Sequence, residues 1–179
     1  KISDFDVTLI FLDWKKAFDS VTREDVDRAL TAFGVPDTFR AHVQTMLESE
    51  YEIIGADQQR SSRFIQEEGL RTGDPLSTVL FLVVLAWVLE GVDRLEAELF
   101  PEQVLELDRV RLIIRDIIYA DDTTYIGTVP ELLQTRLSAL ELLAAPTGLH
   151  VNRKKTVKMI GTVDIKATRG ESKIGVNKK

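Results

Sequence analysis

The sequence predicts an α+β domain, an antiparallel sheet with helices packed on one face, and three observations predict it. The elements run strand, helices, hairpin, long helix, hairpin, helix, strand, an order that sets a helical layer against an antiparallel sheet. An apolar, β-branched run over residues 7–12 stops at a carboxylate, Asp13. Residues 117–126 place two apolar arms about Ala120, Asp121 and Asp122, which reads as a hairpin with the two aspartates at its tip.

Each element has its own warrant. A strand over residues 7–12 is of the buried kind, and a carboxylate directly after it sits at the sheet edge, where a ligand can reach it. Thr22 with Asp25 three positions on resembles a capping box, so a helix starts there; Val26, Leu30 and Phe33 recur at helical spacing and Gly34 can end it. Pro36 and Asp37 open a second helix to about Glu48, with Phe39, Val43, Met46 and Leu47 on one face. Residues 51–56 and 63–66 read as strands joined by a polar turn at Asp57, Gln58 and Gln59. Residues 69–77 form a loop punctuated by Gly69, Gly73 and Pro75; such glycines let backbone approach a ligand, and they equally suit an ordinary loop leading into a helix.

Residues 76–99 predict a long helix, apolar almost all round at first and then one-sided through Val92, Leu95 and Leu99, so its first half is buried. A strand over 110–114 leads to the aspartate hairpin, whose second arm ends near Gly127. Thr128 and Pro130 start another helix, with Leu132, Leu133, Leu137, Leu140 and Leu143 inward, that ends before Pro146. Residues 157–160 make a last strand. Residues 161–179 carry more basic than acidic side chains and few large apolar ones, and are expected to be a flexible basic tail beyond a domain over 1–160.

With 179 residues, 44% of them hydrophobic, the chain can build one proper core. The lack of cysteine excludes disulfides and thiolate zinc sites. A net charge of -6 and a pI of about 5.0 argue against strong unaided nucleic-acid binding, which draws on Lys and Arg to neutralise phosphates. The longest apolar run, 79–89, is too short to span a bilayer and no signal-peptide pattern is present. The expectation is a soluble intracellular protein, in nucleus or cytoplasm, with no membrane partner.

Adjacent carboxylates repel. Solvated at a turn, Asp121 and Asp122 would be ordinary; a divalent cation such as Mg²⁺ would instead use them, because hard cations take oxygen ligands from one or two carboxylates plus substrate phosphates. Asp13 is the third carboxylate such a site calls for. His42 and His150 are isolated and are not read as ligands, and Asp19 is read as structural.

Four stretches, in order, resemble the palm of a reverse transcriptase of the non-LTR retrotransposon type. Residues 11–19 look like the first palm motif and 69–77 like the second; Tyr119, Ala120, Asp121 and Asp122 look like the third, and Gly148, Leu149, Asn152, Lys155 and Thr156 like the fourth. The resemblance covers 7–160 and implies a polymerase palm. It implies that Asp13 and Asp121 hold two Mg²⁺ ions, with Mn²⁺ able to substitute and Asp122 beside them, and that Lys155 protonates the leaving pyrophosphate. Phe18 would be the steric gate against a ribose 2′-hydroxyl, or else a core aromatic at a strand–helix junction. Arg71 and Thr72 would face substrate, and Gly73, Asp74 and Pro75 would shape the floor under the nascent base pair. Arg153 and Lys154 read as solvated or phosphate-facing.

The implied partners are an RNA template, a DNA primer, deoxynucleoside triphosphates, and fingers and thumb segments not recognised in this chain. The expected activity is that of an RNA-directed DNA polymerase, carried by a fragment of a retrotransposon polyprotein and weak or absent in the isolated chain. Thr72 stands where the family commonly has Gln. With the unrecognised fingers, it motivates the alternative of a catalytically silent module retained for protein or RNA binding. An RNA-templated RNA polymerase is disfavoured by Phe18 and by alanine before the paired aspartates.

Overall fold

The structure is a computed structural model that describes residues 5–48, 50–66, 68–99, 116–164 and 173–177. Its centre is strand β1 (Phe5–Leu12), in which Thr8, Ile10 and Leu12 are buried while Phe11 is exposed. That is the period-two pattern of a strand covered on one face. β1 pairs antiparallel with β5 (Asp122–Gly127) on one side and β6 (Val157–Asp164) on the other. With β4 (Asp116–Tyr119) and β7 (Lys173–Asn177) the order is β4-β5-β1-β6-β7, every neighbouring pair antiparallel.

Helices α1 (Ala17–Ser20), α2 (Arg23–Ala32), α3 (Asp37–Leu47), α4 (Pro75–Leu99) and α5 (Pro130–Ala144) supply the other layer. α4 packs against both α2 and α5 and buries Leu80, Phe81, Val84, Leu85, Val88, Leu89 and Val92. It is longer than the apolar run within it, and by length and composition alone would be able to cross a membrane; here those side chains form the core with Ile10, Leu12, Tyr125 and Leu140. The predicted cap is present: Thr22 Oγ1 accepts from the Asp25 amide at 3.1 Å. The α+β architecture is thus the one the element order implies.

Three local expectations come out differently. Phe33, Phe39 and Met46 are exposed, because the buried apolar sides of α2 and α3 are narrow, limited to Val26, Ala29 and Leu30 on one and Val43 and Leu47 on the other. Among the described residues the small hairpin pairs as β2 (Glu50–Tyr51) with β3 (Phe64–Ile65), plus a bridge between Ile54 and Arg60. Ile53 and Ile54 are exposed, and among the described residues no layer covers them to hold a longer ladder. The strand expected over 110–114 lies outside the described residues. Finally, the described part of 161–179 is sheet and not a flexible tail: β6 continues to Asp164 and pairs with β7 from Ile160–Asn177 to Asp164–Lys173. Ile174 and Val176 alternate with Gly175 and Asn177, a short edge-strand pattern that a count of charges overlooks.

Candidate active site at the end of the central strand

The described β1–β5 ladder closes with the pair Leu12–Thr123, both buried. One residue further on each strand stand Asp13 and Asp122, and alternation turns both to the face away from the core. β4 and β5 meet through the pair Tyr119–Asp122, leaving Ala120 and Asp121 as a two-residue turn. Ala120 has φ 53°, the positive value that the first central residue of a type II′ hairpin requires and that glycine usually supplies. Register therefore carries Asp13, Asp121 and Asp122 to one end of the sheet. The Trp14 indole Nε1–H, donating to Thr123 Oγ1 at 3.3 Å inside the core, rivets the two strands beside them.

A strap over residues 148–156 holds Asp13 from the opposite side. Trp14 bridges to Val151, the Lys15 amide donates to the His150 carbonyl at 2.8 Å, and the Asn152 amide donates to the Asp13 carbonyl at 2.7 Å. The Asn152 side chain then donates to Asp13 Oδ2 at 2.9 Å, while Lys155 Nζ lies 4.0 Å from Oδ1. Asn152 belongs to the fourth motif, but no feature of the sequence assigns it this hold on the carboxylate.

The strap and the loop over 69–77 both lie on helix α1. A Cβ at Gly69 would come within 2.8 Å of the Asp19 Cα, and one at Gly148 would strike the Ser20 carbonyl oxygen. The Leu70 amide donates to the Phe18 carbonyl at 2.7 Å. Phe18 is half-buried and stacks on the fully buried Phe81 with ring centroids 5.0 Å apart, so one face of the expected gate belongs to the core. In the loop, Arg71 donates to the Met46 carbonyl, lies over the Tyr51 ring at 4.7 Å and sits 3.8 Å from Asp74. Asp74 Oδ1 accepts from the Leu76 amide at 3.0 Å and caps α4. Arg71 and Asp74 thus make their contacts within the protein, with Pro75 as the first residue of α4, whereas Thr72 and Gly73 remain at the surface.

A second arrangement fixes the aspartate hairpin from behind. Arg136 of α5, its side chain only 4% exposed, donates to both carboxylate oxygens of Asp116, at 3.1 and 2.6 Å, to Asp93 at 2.8 Å and to Glu96 at 2.7 Å. Its guanidinium lies 5.3 Å from the centroid of the fully buried Tyr125. Burial opposes the charge of Arg136, but the hydrogen bonds and field of Asp116, with Tyr125 and Glu96, outweigh it and raise its pKa above the ordinary value. Burial raises the Tyr125 phenol, against the nearby Arg136. Base of hairpin, long helix and α5 are thereby tied at one point. The sequence signal was an arginine among the inward leucines of α5, between Leu133 and Leu140.

The donor chemistry suits a hard divalent cation, since the three residues offer carboxylate oxygens only. Among the described residues, however, no group of three Asp, Glu, His or Cys is drawn close enough to hold a metal ion. The expected convergence exists in strand position and does not extend to a gathered ligand set; the Asp13 carboxylate is turned to Asn152 and Lys155.

Comparison with known proteins adds the following. Residues 5–174 match the family model described as Reverse transcriptase (RNA-dependent DNA polymerase). Similar sequences include the Retrovirus-related Pol polyprotein from type-2 retrotransposable element R2DM of Drosophila melanogaster, 30% identical over 144 residues, covering 80% of this chain and 13% of the relative. Another is the Pol polyprotein from type-1 retrotransposable element R2 of Popillia japonica, 31% identical over 114 residues, covering 64% of this chain and 18% of that protein. The chain therefore spans less than a fifth of these relatives. Among solved structures, telomerase from Candida tropicalis in complex with a telomeric RNA fragment superposes with a TM-score of 0.59 at 13% identity, over 93% of this chain and 27% of that one. At that identity the likeness speaks for the fold.

Proposed function

The chain belongs to the reverse transcriptase (RNA-dependent DNA polymerase) family, and from that premise we propose that it is the catalytic palm portion of an RNA-directed DNA polymerase. The observation that carries the reading is the register that delivers Asp13, Asp121 and Asp122, from distant parts of the chain, to one end of the sheet. These three carboxylates are the residues that would hold Mg²⁺ or Mn²⁺, and the metal would supply Lewis-acid activation of a primer 3′-hydroxyl and stabilisation of pyrophosphate charge. Asn152 orients Asp13 by its side-chain bond, and Lys155 is the proton donor placed beside it. Phe18 excludes a ribose hydroxyl with the ring face that Phe81 leaves free.

The substrates on this reading are an RNA template, a DNA primer and deoxynucleoside triphosphates. The small share of its relatives that the chain spans supports a role within a longer polyprotein, whose other segments grip the strands. A silent module for protein or RNA binding is the second reading, favoured by the inward contacts of Arg71 and Asp74. Primer extension on an RNA template by the full polyprotein separates them. Asp13→Asn and Asp121→Asn should each abolish metal-dependent extension while primer–template binding persists; undiminished extension by either variant would reject the catalytic reading.

A further inference from the structure

The tip of the loop before α4, Thr72 and Gly73, has no packing of its own. Both residues are exposed, and a Cβ at Gly73, whose φ is 90°, would meet nothing within 4 Å. They are the middle of a β-turn closed by the Asp74 amide, which donates to the Arg71 carbonyl at 3.4 Å, and Gly73 has the positive φ that the third position of a type II turn requires. The place of the tip is therefore set by its two ends. Asp74 is fixed to the start of α4 through the Leu76 amide and the hydroxyl of the buried Ser77.

Arg71 fixes the other end, and it uses groups from distant elements. Its amide donates to Ser77 Oγ at 3.0 Å. Its guanidinium donates to the Met46 carbonyl in the last turn of α3; that turn carries no basic residue of its own, so Arg71 supplies the cation that the negative end of the helix dipole favours. The same group lies over the Tyr51 ring of β2 at 4.7 Å and stands 3.8 Å from Asp74 across the turn. Tyr51 meets it with the ring alone, since the phenol oxygen is buried with no hydrogen-bond partner among the described residues. With 27% of its side chain exposed, Arg71 is committed to the protein on three sides, by a fork and a flat face that lysine does not possess. One residue earlier, the Leu70 amide is bonded to the carbonyl of Phe18, so the tip leaves the protein beside the expected gate.

We infer that Arg71 is a positioning residue: through Tyr51 and the end of α3 it holds Thr72 and Gly73 where an incoming deoxynucleoside triphosphate meets them, and it does not itself touch that substrate. The small hairpin thereby becomes part of the frame of the site. The inference rests on the polymerase reading for its ligand, whereas the tether is a property of the folded chain.

The test has two readouts. Backbone order parameters of Thr72 and Gly73, from amide NMR relaxation of the chain, report the tether without any activity. The KM for deoxynucleoside triphosphate, measured in the full polyprotein, reports its use. Arg71→Met and Tyr51→Leu should each lower the order parameters from the ~0.85 of rigid backbone to below ~0.6. Both should raise KM about fivefold, the scale of one hydrogen bond misplaced at the tip, with kcat held within about twofold. Arg71→Lys, which keeps the charge but not the fork, should behave as Arg71→Met does. Tyr51→Phe, which keeps the ring, should retain the order parameters of the parent. Arg60→Ala, a charge lost elsewhere on the same hairpin, should change neither readout.

An arginine that binds substrate directly predicts the reverse: a raised KM in Arg71→Met with an unchanged tip, full activity in Arg71→Lys, and no effect of Tyr51→Leu. Any of these overturns the inference, as does a loosened tip with an unchanged KM. Parent order parameters in β1 and α5 of the same samples exclude general unfolding, and Tyr51→Leu carries the test should Arg71→Met fail to fold. A parent polyprotein that extends no primer rejects the polymerase reading, whereas a rigid tip in Arg71→Met or Tyr51→Leu rejects the tether, so the two failures are told apart.

Discussion

At Gly148, φ of 76° coincides with a backbone carbonyl, that of Ser20, where a Cβ would have to go. Neither a flexible side chain nor a rotamer can relieve such a contact. Gly148→Ala should therefore destabilise the protein by about 1–3 kcal/mol from overpacking, with the left-handed backbone adding to it, measured by urea denaturation. The strap also carries Asn152, so the same substitution should loosen the hold on Asp13, seen as faster amide exchange at 150–156. Phe18 presents the opposite case, a ring with two employers. Its stack on Phe81 predicts that Phe18→Ala costs about 2 kcal/mol, less than the 3–5 typical of a fully buried Phe. If the free face is the gate, the variant in the active polyprotein should also lose discrimination against ribonucleotides. A fall in stability with discrimination intact would leave Phe18 as core alone.

At the scale of elements, Arg136 decides how firmly the aspartate hairpin is seated. It is one cation against Asp93, Glu96 and Asp116, and Arg136→Met would leave those carboxylates facing one another around a largely buried space. Removing one partner of a buried pair costs about 3–5 kcal/mol, and the loss should appear first as accelerated hydrogen exchange across 116–127, ahead of β1 and β6. Uniform acceleration over the whole sheet would show that the cluster supports global stability and does not seat the hairpin. This anchor was poorly legible in the sequence because hydrophobic periodicity registers an inward arginine as a gap in a leucine stripe. The features that were legible rest on local physics: the cap at Thr22, the apolar length of α4, and the turn chemistry around Ala120 and Asp121. Those that were missed rest on what lies across space. Asn152 has no role until Asp13 is beside it, Phe39 and Met46 look internal until α3 is seen to bury only a narrow side, and β7 gains its place from β6.

For the molecule as a whole, the sheet order places β1 between β5 and β6, so like charges from distant parts of an acidic chain are delivered to one edge. On the proposed metal-binding reading the three carboxylates repel one another when no cation is bound, which makes the site measurable without any catalytic assay. Binding to the native state alone adds RT ln(1 + [L]/Kd), so Mg²⁺ at about ten times its dissociation constant should stabilise the protein by about 1.4 kcal/mol. In a domain of this size that corresponds to a rise in Tm of about 3–6 °C. Asp121→Asn should melt higher than the parent in chelator, having lost one repelling charge, and should respond less to Mg²⁺ or Mn²⁺. A solvated turn carboxylate would show neither change. Asp13→Asn makes the sharper comparison, because it lies more than a hundred residues from the hairpin and also gives up an acceptor of the Asn152 bond. A shared site requires that its metal response fall along with that of Asp121→Asn, whatever its starting Tm. Should Asp13→Asn keep the full Mg²⁺ shift while Asp121→Asn loses it, the cation belongs to the hairpin tip alone and the two strands do not build a common metal centre.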